Sequence, residues 1–377
     1  MIKFIYVFIK FFELLVFILV GKKISKTKSD REYWRIALLA IVAFALVDGL
    51  RYGRMIDYWG YWGLYNSANT LFGNTDPLFS AFLYIFKETE LGLSSVLIVQ
   101  SAILIYACLL ILKPYKIYAK YALPLLLPLL VMNENLSRWF MACSFLFMAF
   151  NQYNNKKYYA TFLYFVAAQA THNAIFPLFP LILSYPLYNK IIIPRSIVLT
   201  LFVFMTFFSD IRSATFVVRI SDWLLSAGLV NEDASMVNHL LHAQDLIQGE
   251  HLELGIMQRA LYQKISNLLI WLPIIWYGYT YAKDEYINGI YNITAISLIL
   301  SPLLSQVELL GRYTMFMNIF SVIVAACYYF NEFKRQRDFR FSISFISLLL
   351  FMYPTLSLIF NRGADKDMLF IWDSMFF

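Results

Sequence analysis

Arg51, Arg54, Asp57, Arg138, His172 and Arg312 stand at the ends of apolar runs, while most other basic residues gather in short polar loops. An ionisable side chain near bilayer depth costs about 2.5–3.5 kcal/mol unless it is paired or wetted, so such a set marks a site by default. Its basic character points to an anionic ligand, with a lipid-linked diphosphate as the leading candidate. Arginine suits that role because its planar fork makes bidentate, charge-assisted bonds to phosphate oxygens.

The densest polar constellation is Arg51-Tyr52-Gly53-Arg54-Met55-Ile56-Asp57-Tyr58, where the second apolar run ends. Asp57 can pair with an arginine or act as a base. The ordinary account is an interfacial anchor in which Asp48, Arg51 and Asp57 neutralise one another. Arg138 and Arg312 each have a glutamate four residues upstream, Glu134 and Glu308. On a helix that spacing allows a local ion pair, and the glutamate would orient the guanidinium. His172 lies in Gln169-Ala170-Thr171-His172-Asn173, between two runs. Histidine titrates near neutrality and can take a proton from an attacking hydroxyl. With two arginines depressing the basicity of Asp57, the sequence favours His172 as proton acceptor.

Other matches carry less. His239 and His242 share a helix face, with His251 further on, but no second ligand pair follows at metal spacing. Asp365-Lys366-Asp367 reads as a charged tail. There is no Gly-x-x-x-x-Gly-Lys loop, no Gly-x-Ser-x-Gly elbow and no His-Glu-x-x-His. No metal and no cofactor are expected, since the arginines can supply the positive charge.

The elements that must hold these residues are membrane helices. Of 377 residues, 60% are hydrophobic and 15% charged, and mean hydropathy is +0.61. Apolar spans fall at roughly 1–20, 36–50, 92–112, 121–133, 139–153, 158–171, 174–188, 196–209, 265–282, 287–304, 314–331 and 341–360. That is about twelve crossings of a core about 30 Å thick. The segment 1–20 shows no small-residue cleavage site and reads as the first span. Prolines interrupt several spans: Pro124 and Pro128, Pro177, Pro180 and Pro186, then Pro273 and Pro302. Cys108, Cys143 and Cys327 lie inside spans at no metal or disulfide spacing.

The net charge of +7 does not imply nucleic acid, because of where it sits. Lys22, Lys23, Lys26, Lys28, Arg31 and Arg35 share a loop region, as do Lys113, Lys116 and Lys120. Lys156 and Lys157, Lys190 and Arg195, Lys283, and Lys334, Arg335, Arg337 and Arg340 follow in alternate loops. The positive-inside rule makes these loops cytoplasmic, with both termini outside. The expected organisation is one integral membrane domain over 1–377. It has an aromatic-rich external segment at 51–91 and a large external loop at 210–264 with interfacial helices near 214–230 and 235–248.

The ordered set of motifs resembles the Wzy-type O-antigen polymerases and their EpsG-like relatives. The resemblance rests on residues 51–61, Asp76-Pro77-Leu78-Phe79, Asn135-Leu136-Ser137-Arg138, Thr171-His172-Asn173 and Gly311-Arg312-Tyr313. Ser137-Arg138-Trp139 stands where relatives often carry Arg-Gln, and Asp76 where Glu is usual. The resemblance implies an all-α polytopic membrane protein, similar to type-C glycosyltransferases, with periplasmic interfacial helices. It implies transfer of a growing glycan from undecaprenyl diphosphate to the non-reducing end of an incoming lipid-linked repeat unit. Arg51, Arg54, Arg138 and Arg312 would bind diphosphate, His172 and Asp57 would serve catalysis, and Glu134 and Glu308 would support the arginines. Lipid-linked oligosaccharide donor and acceptor, membrane lipids, a chain-length regulator and a flippase are the implied partners. A lipid-linked oligosaccharide flippase, an O-antigen ligase and a membrane O-acyltransferase are the alternatives.

Overall fold

Long apolar runs fold as helices because only a helix satisfies every backbone N–H and C=O inside one segment. The computed structural model describes residues 2–53, 57–69, 76–209, 223, 226, 261–281, 284–305, 308–334, 339–360 and 369–370. Each expected span falls on a helix, except 174–188, which falls on a broken helical run. Arg54, His239, His242, His251, residues 365–367 and the expected interfacial helices lie outside the described residues, apart from Trp223 and Ser226.

The chain forms two compact units, Met1–Ile175 with Met352–Phe377, and Phe176–Phe351. The first opens with α1 (Ile2–Ile24) and α2 (Asp30–Gly49). Ser29 caps α2 by accepting from the Glu32 N–H at 3.2 Å, and Glu32 reaches back to the Lys28 N–H at 3.0 Å. These bonds satisfy donors that a helix start otherwise leaves orphaned. Then come β1 (Arg51–Tyr52), α3 (Tyr58–Ser67), α4 (Pro77–Glu88), α5 (Gly92–Leu112), α6 (Ala119–Leu130), α7 (Ser137–Asn154) and α8 (Tyr158–Thr171). Helix α2 packs on α5, α1 on α6, α5 on α7 and α7 on α8. The α2–α5 contact is close at Gly49, where an added Cβ would lie 2.6 Å from the Ile98 backbone. β1 pairs antiparallel with β2 (Leu369–Phe370), Arg51 opposite Phe370.

The aromatic segment, expected at headgroup level, contributes to the core of the first unit. Tyr58, Tyr61 and Tyr65 recur at helical spacing on α3 and are buried with Phe79 and Leu83 of α4. They pack with Leu93, Val96 and Leu97 of α5 and Met141 of α7. One face of the segment therefore belongs to the first unit's core, which ties α3 and α4 to the helix ends that carry the candidate residues.

Of the prolines expected to interrupt spans, only Pro177, Pro180 and Pro186 do so; Pro124 and Pro128 lie inside α6, and Pro273 and Pro302 inside helices of the second unit, whose neighbouring turns stay helical. Residues 173–188 break into a 3-10 turn, Asn173–Leu178, then α9 (Phe179–Leu183) and α10 (Tyr185–Tyr188). The second unit continues with α11 (Arg195–Phe208), α12 (Leu261–Gly278), α13 (Glu285–Leu304) and α14 (Glu308–Glu332), and with most of α15 (Phe339–Phe360). Here α11 packs on α12 and α13, and α14 on α12 and α13. Asn292 of α13 repairs the unwound chain after α10, donating to the Tyr188 carbonyl at 2.6 Å and accepting from the Ile193 N–H at 2.9 Å. Tyr328 and Tyr329 of α14 bond Ser344 and Ser347 of α15 at 2.7 and 2.8 Å.

Four helical stretches among the described residues are long and apolar enough to cross a membrane: Gly92–Glu134, Glu285–Leu304, Leu310–Glu332 and Phe339–Leu356. The chain is an α-helical membrane protein.

Candidate active site

Arg51 terminates α2 by folding its side chain back along it. Nη1 donates to the Asp48 carbonyl at 2.9 Å and Nη2 to Ser137 Oγ at 2.7 Å, and Ser137 in turn donates to the Asn133 carbonyl at 2.9 Å. The residue is 0% exposed. Its guanidinium thus joins the end of α2 to the start of α7.

Arg138 is placed differently. It sits in the first turn of α7, and its Nη1 donates to Asp76 Oδ2 at 2.6 Å. The arginine side chain is 27% exposed while Asp76 is nearly buried at 4%. The guanidinium lies over the Phe79 ring, 5.8 Å from its centroid, and the Arg138 N–H donates to the Tyr61 hydroxyl at 3.2 Å. Burial pushes the Tyr61 phenol above its ordinary range, so it stays a neutral hydroxyl. A guanidinium has five N–H donors in a rigid fork. With Asp76 holding Nη1, the remaining donors of this half-buried side chain can meet an anion.

The second carboxylate oxygen of Asp76 accepts from the Asn173 N–H at 3.2 Å. Asp76 therefore links Arg138 to the turn that carries His172, across 62 residues on one side and 97 on the other. His172 itself closes α8, its N–H donating to the Ala168 carbonyl at 3.0 Å, and its ring meets Trp139 edge-on at 5.4 Å. Nδ1 accepts from the Ala174 N–H at 3.3 Å. That bond assigns the neutral ring's proton to Nε2, which then donates. For Nε2 to accept a proton, the ring has to give this bond up.

Asp57 precedes α3, and its N–H donates to Asn135 Oδ1 at 3.1 Å. Asn135 thereby fixes the start of α3 against the start of α7. Arg312 belongs to the second unit, half-buried in the first turns of α14. The backbone of α14 is helical from Glu308 onward, so the four-residue spacing to Arg312 holds there. The Glu308 side chain lies outside the described residues.

The expected local pair between Glu134 and Arg138 is replaced by two longer-range pairs. Glu134 lies in a 3-10 turn, Val131–Glu134, and Leu136 at φ −108°, ψ 41° breaks the helix before Arg138. The i,i+4 geometry requires a continuous helix. Glu134 instead reaches Lys10 of α1 at 3.2 Å. The same Lys10 ammonium meets Glu13 at 3.2 Å and Asp48 at 3.3 Å. Asn133 closes the cluster, donating to Asp48 Oδ2 at 2.8 Å.

Sequence reasoning missed Lys10 altogether and quoted Asp76 only as part of a motif. The signal for Lys10 was available: Lys10 and Glu13 are ionisable residues three apart inside an otherwise apolar run. Nothing local to Asp76 names its partners.

Among families of known proteins, the model described as EpsG family matches residues 34–365. No curated protein and no solved structure matches the chain.

Proposed function

Because the chain belongs to the EpsG family, whose role is that of a membrane polysaccharide polymerase, we infer that it elongates a surface glycan on a polyprenyl carrier. In this reading it moves the growing glycan from undecaprenyl diphosphate to the non-reducing end of an incoming lipid-linked O-antigen repeat unit. The reaction would take place at the periplasmic face of the inner membrane, within a bundle of about twelve spans. The observation that carries it is the half-buried Arg138 side chain held by Asp76 beside the His172 turn.

The chemistry follows from those positions. As the glycosyl bond to the carrier breaks, negative charge grows on the departing diphosphate. A preformed guanidinium stabilises that charge without reorganising. Arg138 contacts the diphosphate, and Arg54 and Arg312 remain diphosphate-binding candidates. The buried Arg51 acts as a positioning residue that holds the start of α7 through Ser137. The acceptor hydroxyl needs a base, and the Asp57 carboxylate takes that proton, while the Nε2–H of His172 donates to a leaving or acceptor oxygen. Glu134 and Glu308 support the helix ends.

Deleting the gene should leave surface glycan capped with single repeat units and no ladder. Loss of all glycan would instead indicate a flippase or ligase, and unchanged chain length an acyltransferase.

The two candidate proton carriers separate by substitution. Asp57→Asn should lower turnover by about 10²–10⁴-fold, the usual contribution of a general base. His172→Gln keeps an N–H donor near the Nε2 position, so it should retain much of the ladder while His172→Ala loses it. A severe loss in His172→Gln with near-normal chains from Asp57→Asn would make His172 the base.

A further inference from the structure

The outer flank of α3 carries a feature that neither the fold nor the diphosphate chemistry uses. Successive residues on a helix are turned by about 100°. Tyr58, Tyr61 and Tyr65 face the core, and this puts Trp59, Trp62 and Asn66 together on one flank. Trp59 is 54% exposed and Trp62 40%. Gly63 lies beside Trp59, and a Cβ built there would meet nothing within 4 Å. The exposed aliphatic side chain of α3, Leu64, sits on the opposite flank, roughly 140–160° from the two indoles. A flank adapted to lipid would mix its indoles with aliphatic side chains. This one has an amide and a glycine for neighbours. Exposed indole surface next to an amide suits a pyranose, whose C–H face stacks on the ring while its hydroxyls bond the amide.

The flank is held in place. Trp59 packs edge-on against buried Tyr58 at 5.2 Å. Lys87 pins the end of α3, donating to the Asn66 carbonyl at 2.6 Å and to Asn69 Oδ1 at 2.9 Å. On its inner side the same helix presents Tyr61 to the Arg138 N–H. From this placement we propose that Trp59 and Trp62 form a glycan subsite, which keeps the sugar chain beside Arg138 between additions. The proposal rests on the reading of the chain as a glycan polymerase and adds to it a determinant of chain length.

The test compares two double variants of the full-length protein in a deletion strain. Trp59→Leu/Trp62→Leu keeps apolar bulk but removes the ring faces, and Trp59→Tyr/Trp62→Tyr keeps ring faces. The Leu pair should shorten the modal chain by roughly threefold to tenfold at normal protein level. The Tyr pair should restore most of it. Wild-type ladders from the Leu pair overturn the subsite. So does equal rescue by Leu and Tyr, which would assign the flank to lipid headgroups. Polysaccharide released from the producing cells supplies a binding probe that needs no turnover. Added to the purified protein in nanodiscs, it should be retained when the nanodiscs are captured for the wild type and the Tyr pair, and mostly lost for the Leu pair. Equal retention in all three overturns the subsite. An unchanged ladder on gene deletion would instead sink the polymerase reading, and the nanodisc measurement would still judge the subsite.

Discussion

Arg138→Lys is expected to collapse the glycan ladder to single repeat units while the protein accumulates normally. Lysine preserves the charge and can still reach Asp76, which takes only one nitrogen of Arg138, at 2.6 Å. It cannot supply the second arm of the fork. Lysine is a compact point charge, whereas the guanidinium can hold Asp76 with one nitrogen and offer others to a phosphate oxygen. Losing one preorganised donor to a developing oxyanion costs about 10²–10³-fold in rate. Asp76→Asn should fall between wild type and Arg138→Lys, because the amide oxygen still accepts from one partner but the charge that orients the fork is gone. Glycan ladders and protein level, measured together, decide the matter. A full ladder from Arg138→Lys would make the arginine a strut between α4 and α7 and remove it from the chemistry.

The largest effect on stability should come from Lys10→Met. Three carboxylates, Glu13, Asp48 and Glu134, approach the one Lys10 ammonium at 3.2–3.3 Å, and all four side chains are at most 14% exposed. Removing one partner of a buried ion pair leaves charge without compensation and typically costs about 3–5 kcal/mol. That is a large part of the roughly 5–15 kcal/mol by which proteins are stable. The melting temperature of the detergent-solubilised protein should fall by on the order of 10 °C. Lys10→Met with Glu134→Gln should recover part of the loss, because one of the stranded charges has been removed. The two changes should therefore be coupled in a double-mutant cycle. An unchanged melting temperature in Lys10→Met would mean that the cluster contributes nothing to holding α1 against α2 and the 131–134 turn.

The helical membrane character was legible in the residues themselves. Apolar run length is a local property, and a helix satisfies its backbone within one segment, so the expected spans found helical counterparts. The break of 174–188 at Pro177, Pro180 and Pro186 was legible for the same reason. So was the candidacy of Arg138 and His172, because a polar residue at the end of an apolar run is visible without knowing its neighbours. What each of them touches was decided by packing. The Glu134–Arg138 spacing indicated a local pair, but the helix breaks at Leu136, and α1 and α4 bring Lys10 and Asp76 to the two side chains. Arg51 was expected at the diphosphate from its place at the end of an apolar run; that the α2–α5–α7 packing buries it against Ser137, 86 residues away, was not legible there. A charged group in a low-dielectric interior takes whichever counter-charge the packed helices deliver to it. Sequence spacing along one helix therefore marks which residues are costly to place, and only tertiary structure determines which partners offset that cost.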